Sequence, residues 1–94
     1  MTPIALFLRR NLINGQVEEI FRNGLDDSGA TAYQIQTYNI DDISIPQAFN
    51  DFITKFPQGQ RLILAGYTSN DILEVDNLVS DSGQDGIFIF SLTA

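Results

Sequence analysis

The chain has 94 residues, 44% of them hydrophobic, and sets five basic against twelve acidic side chains for a formal charge of −7. That length holds one small domain, 1–94, with a modest core, and the acidic excess opposes phosphate backbones and anionic membrane surfaces, so nucleic acid is discounted as a partner. With no cysteine and no histidine, disulfides, structural zinc, thiol catalysis and every Ser-His or Cys-His arrangement are excluded together.

Residues 3–8 (Pro-Ile-Ala-Leu-Phe-Leu) form a continuous apolar run, the pattern of a strand buried on both faces. The run is far short of the roughly 20 residues that cross a bilayer. It is also too short for a signal peptide, and Arg9-Arg10 follow it on the wrong side, so a soluble chain is expected, cytoplasmic unless a leader has been removed. Residues 9–16 read as a loop. Val17, Ile20, Phe21 and Leu25 then fall at i, i+3, i+4 and i+8, which predicts a helix with one apolar stripe. Asn14 is expected to cap it, Glu18 and Glu19 occupy its first turn, and Gly29 is placed to end it.

In residues 32–38, Tyr33, Ile35 and Thr37 alternate with Gln34, Gln36 and Tyr38, the pattern of a half-exposed or edge strand. A second helix begins near Pro46 and buries Phe49, Phe52, Ile53 and Phe56, with Pro57 and Gly59 marking its end. Residues 61–65 and 86–90 are again continuous apolar runs and read as buried strands, the last of them central, with Phe88 and Phe90 at core spacing. A third helix spans about 70–82, turning Ile72, Val75, Leu78 and Val79 inward and stopping at Gly83. Right-handed crossovers assemble these pieces into an α/β fold, a three-layer βαβαβαβ sandwich around a four-stranded parallel sheet.

Gly66-Tyr67-Thr68-Ser69-Asn70-Asp71 is the stretch richest in chemistry. It joins a strand to a helix through a glycine turn and two hydroxyls, and the free N–H groups and positive dipole end of a helix's first turn favour an anion. Thr68 or Ser69 is equally an ordinary N-cap, with Thr68 and Asp71 at loose capping-box spacing. Ligands of open parallel sheets sit beyond the carboxyl ends of the strands. That edge gathers Arg9 and Arg10, Asp41 and Asp42, residues 66–70, and Ser91-Leu92-Thr93. Arg9 and Arg10 are candidates to hold a carboxylate or phosphate, against the plainer role of neutralising nearby aspartates.

No GxGxxG or GxxxxGK[ST] pattern occurs, and no hydroxyl-rich loop follows the first strand, so neither a nucleotide nor a flavin cofactor is expected. Asp41-Asp42 reads as a solvated loop rather than a cation or phosphoryl site. Residues 81–86 lack the pattern of a calcium loop, having Gly83 at position three and Leu92 where the bidentate Glu belongs. No second group of matched role stands beside either acid, so a non-enzymatic chain is expected.

From residue 32 onward the order of features resembles the first lobe of the type I periplasmic solute-binding proteins, the family of branched-chain amino-acid receptors. Residues 33–42, 46–56, 62–66, 67–69, 71–83 and 87–94 follow that pattern in order, and Gly66-Tyr67-Thr68-Ser69 with Ser91-Leu92-Thr93-Ala94 is its nearest part. The resemblance implies a flavodoxin-like half-domain. It also implies an amino-acid carboxylate held by the amides and hydroxyls of two loops, here Thr68, Ser69, Ser91 and Thr93, in an extracytoplasmic protein. The family closes two lobes over its ligand, and its first loop is small and glycine-rich where this chain has Arg9-Arg10.

Two functional expectations follow. One is a ligand-binding module for a small carboxylate or amino acid, built on Gly66, Tyr67, Thr68, Ser69, Ser91 and Thr93 with Arg9 and Arg10. The other is an assembly protein that associates with itself through an uncovered sheet edge or helix face, since a sheet of four strands leaves edges to cover.

Overall fold

The structure, a computed structural model, describes residues 2–29, 32–65 and 69–91. In chain order they form β1 (Thr2–Leu8), α1 (Arg10–Asn14), α2 (Val17–Asp27), β2 (Tyr33–Asn39), α3 (Ile45–Lys55), β3 (Arg61–Ala65), α4 (Ser69–Ser82) and β4 (Ile87–Ser91). All strand pairings are parallel and the sheet order is β2-β1-β3-β4, a flavodoxin-like topology and the α/β architecture that the element pattern predicts.

The continuous apolar run of β1 puts it second in the sheet, with helices over both faces. Successive strand residues point to opposite faces, so Ile4, Leu6 and Leu8 pack with Ile35, Leu64 and the α1–α2 side chains Leu12, Val17, Phe21 and Leu25. Ala5 and Phe7 turn the other way, to Ile63, Ala65, Ala48, Phe49, Phe52 and Val75 of β3, α3 and α4. Right-handed crossovers with this strand order produce that division of helices. Phe7 and Tyr38 meet edge to face at 5.6 Å in the second layer, an arrangement favoured by the ring quadrupoles.

The alternating strand β2 is an edge, as its pattern predicts. β4 is the other edge, which corrects its reading as a central buried strand: Phe88 and Phe90 are 48% and 52% exposed. A continuous apolar run cannot distinguish a strand covered on both faces from one whose second face is left bare.

The 9–16 loop is likewise corrected, since it contains α1. Asn14 closes that short helix, and the residue before α2 is Gln16, at φ 61 and ψ 35 with no side-chain cap. Ile20, expected inward, is 67% exposed. The start of α3 is a full capping box, in which Ser44 accepts from the Gln47 amide and Gln47 reaches back to the Ser44 amide, with Pro46 in the first turn.

At the amino end of β3, Arg61 is 1% exposed and donates to the carbonyls of Phe56 and Asp85. It thereby satisfies the end of α3 and fixes the turn into β4. Gly86 completes this node: it has φ +77, and a Cβ there would lie 2.9 Å from the Gly59 carbonyl oxygen, so only glycine fits both the dihedral and the backbone approach.

Candidate functional site

The carboxyl edge of the sheet is the pole opposite that node. In the order β2-β1-β3-β4 the chain leaves β1 toward one face and β3 toward the other, so the crossovers diverge between these neighbours, where a crevice opens. Arg9 immediately follows β1, Asp41 follows β2, and Asp71 lies in the first turn of α4 after β3.

Arg9 joins all three crossovers. Its Nε and Nη2 donate to the two carboxylate oxygens of Asp71 at 3.1 and 2.6 Å, and its Nη1 donates to Asp41 at 3.1 Å and to the Ile40 carbonyl at 3.4 Å. The two-pronged contact with Asp71 is the fork geometry at which arginine is strongest. Asp71 is buried, with only 6% of its side chain exposed, while 37% of the Arg9 side chain is exposed, so the pair runs from the protein interior out to solvent. The hydrogen bonds from Arg9 to Asp71 and Asp41 raise its already high pKa further.

Arg10 opens α1, and its amide donates to Asp41 at 2.8 Å while its guanidinium is bonded to Asp42. The Arg10 amide, followed by the Arg9 side chain, holds the Asp41 carboxyl below its ordinary value. Arg10 and Asp42 are both 59% exposed, an ion pair open to water and worth little to stability. The turn that carries the two aspartates is set by the Asn39 side chain, which accepts from the Asp41 amide.

Of the predicted site residues, the structure brings Arg9 and Arg10 to the edge where α4 begins at Ser69 and β4 ends at Ser91. Gly66, Tyr67, Thr68 and Thr93 lie outside the described residues, as do the hydroxyls of Ser69 and Ser91. The neutralising role weighed for the arginines is what their geometry displays: both are bonded to aspartates. Asp71 and Asp41 are the residues that sequence reasoning undervalued, one as a capping residue and the other as a solvated loop. The available signal was an arginine directly after a buried strand, with acids after the two strands that flank it in the sheet.

Beside this edge, Leu8, Ile13, Gln16, Glu18, Glu19 and Thr37 line a shallow depression of about 240 Å³. Glu18 accepts hydrogen bonds from Thr37 and Arg22, which hold its carboxyl below the usual range, Thr37 contributing most. Among the described residues no group of three or more His, Cys, Asp or Glu side chains is placed to hold a metal ion, and no helix is long and apolar enough to cross a membrane.

No protein-family model, curated protein or solved structure matches the chain. What is shown of the chain is therefore its fold, a small α/β domain with a four-stranded parallel sheet.

Proposed function

We propose that the domain is a non-enzymatic binding module that takes a small carboxylate, such as that of an amino acid, at the carboxyl edge of its sheet. The observation that carries this reading is the convergence of Arg9, Asp41 and Asp71, from three different crossovers, on the divergence point between β1 and β3. Arg9 is the scaffold of that edge, most of its donors engaged by Asp71, Asp41 and the Ile40 carbonyl. The exposed pair Arg10 and Asp42 is the face offered to a ligand, since adjacent positive and negative groups complement the carboxylate and ammonium of a free amino acid. Ser69 at the start of α4 and Ser91 at the end of β4 stand at the same edge, and in this reading their hydroxyls supply further donors to the ligand.

In this reading the chain corresponds to one lobe of the type I solute-binding pattern. A ligand on a single lobe stays open to water, so affinity is weak. Calorimetric titration with amino acids and simple carboxylates is the test. The module binds them, and Arg10→Met and Ser69→Ala each weaken binding while leaving the fold intact. Absence of heat with every amino acid and carboxylate contradicts the proposal.

A further inference from the structure

The sheet has two edges, and the chain treats them differently. β2 is flanked by acids on both faces: Glu18 and Asp26 bond to Thr37 and Tyr33 on the α2 face, and Asp51 bonds to Tyr38 on the α3 face. Charges set beside an edge discourage a further strand from adding to it. β4 reads Ile-Phe-Ile-Phe-Ser and carries no charge.

Of the large apolar side chains left exposed among the described residues, Phe88 and Phe90 lie on β4 itself, Ile20 on α2 and Leu73 on α4. Phe88 and Phe90 stand beside Leu62 and Leu64 of β3, on the face that α2 shares. On α2, Glu18 and Asp26 mark the flank toward β2; Ile20 lies about 160° round the helix from Glu18 and so looks toward β3 and β4. On α4, Leu78, Asp81 and Ser82 face α3 across a groove, and Leu73, about 160° round the helix from the fully buried Val75, faces outward, off the sheet. A strand added at β4 would meet apolar surface on the face that carries Phe88 and Phe90.

We propose that this added strand is β4 of a second copy of the chain, paired antiparallel about a two-fold axis through Ile89, so that two four-stranded sheets become one of eight. Phe88 of each copy then stands opposite Phe90 of the other, and Ile87 opposite Ser91, within the range at which cross-strand aromatic pairs stabilise a sheet. A second copy is the occupant that the strand itself matches, since the uncharged stretch Ile87–Ser91 is complementary to itself about Ile89. Two molecules at −7 each repel wherever their acids meet, and β4 is the edge whose paired stretch contains none, Asp85 falling outside it. Area sets the strength: Phe88, Phe90 and Ile20 leave roughly 300 Å² of apolar surface per copy, about 600 Å² for the pair. With the strand backbones added, the contact falls at or below the low end of stable interfaces, so the dimer is weak and concentration-dependent.

Sedimentation velocity on the intact chain over a concentration series should show the mass rising from one copy toward two. Phe88→Lys and Phe90→Lys, both at exposed positions, should each hold the chain as a monomer while its circular dichroism and cooperative melting persist. The chain has no cysteine, so register is read directly: mixed Phe88→Cys and Phe90→Cys chains should cross-link faster under mild oxidation than Phe88→Cys with itself. A wild-type chain that stays monomeric at every concentration, a dimer that survives both lysines, or preferential 88-to-88 cross-linking overturns the proposal.

Discussion

Removing either partner of the Arg9–Asp71 pair should destabilise the domain, but by unequal amounts. Asp71 is buried with 6% of its side chain exposed, whereas Arg9 is 37% exposed. Asp71→Asn keeps the shape and an acceptor and leaves a guanidinium that water already reaches. The usual 1.5–3 kcal/mol for a hydrogen bond to a charged group is discounted by that exposure, to about 1.5 kcal/mol. Arg9→Met instead takes from a buried carboxylate the two hydrogen bonds and the charge of its arginine. Breaking a buried pair in that sense costs 3–5 kcal/mol, reduced here to about 3 kcal/mol because the pair reaches the surface. For a domain of this size each kcal/mol moves the melting temperature by roughly 4–8 °C, so losses of about 6–12 °C and 12–24 °C are expected. Urea unfolding of both variants, with Arg9→Met/Asp71→Leu as the double replacement, gives the comparison. The double variant should recover part of the Arg9→Met loss. If Arg9→Met costs no more than Asp71→Asn, burial does not govern this pair.

Gln16 adopts the left-handed conformation without being glycine, so Gln16→Gly should stabilise the fold by about 0.5 kcal/mol in chemical denaturation; a loss would show that its side chain contributes more than the backbone costs. Gly86→Ala should cost about 3 kcal/mol, combining the left-handed penalty with a Cβ driven against the Gly59 carbonyl, and an unchanged unfolding midpoint would refute the close approach.

Stability against pH should be nearly flat between about 5 and 9, since the chain has no histidine or cysteine to titrate there. Glu18, Asp41 and Asp51 have lowered folded-state values, led by hydrogen bonds from Thr37, the Arg10 amide and Tyr38 respectively. Their stabilisation is present above the ordinary carboxyl range near 4 and lost as pH falls through the lower folded values. Tyr38 is raised by burial and by its hydrogen bond to Asp51, so its share is present below about pH 10 and lost above it. Tyr38→Phe should flatten that alkaline limb in pH-dependent melting curves; an inflection near pH 6.5 would contradict the assignment.

Element type was legible wherever periodicity was unambiguous. The i, i+3, i+4 spacing of Phe49, Phe52, Ile53 and Phe56 gave α3, and the unbroken apolar run of residues 3–8 gave a strand buried on both faces. Strand position was legible only in part. The polar alternation in β2 marks an edge, but Phe88 and Phe90 look like core because sequence records hydrophobicity and not whether anything covers it. The α2 stripe misled at Ile20 for the same reason: the spacing fits a helix face, while the helix rolls toward Phe21 and Leu25 and leaves Ile20 outside. Gln16 was hidden because its left-handed backbone is imposed by the close turn between α1 and α2, against its own preference. At the candidate site the arginines were legible as charges beside a ligand edge. Their partners were not, because Asp41 and Asp71 meet Arg9 across 32 and 62 residues of chain, separations that only the strand order resolves.

The proposed function requires that ligand meet this chain at the carboxyl edge of its sheet. Backbone amide NMR during titration with an amino acid tests it most directly, since each amide reports its own position. Saturable shifts grouped at residues 9–11, 41–42, 69–71 and 91 are expected, and they should shrink in Arg10→Met. Shifts confined to β4 and α2, or no shift with any amino acid or carboxylate, would contradict it.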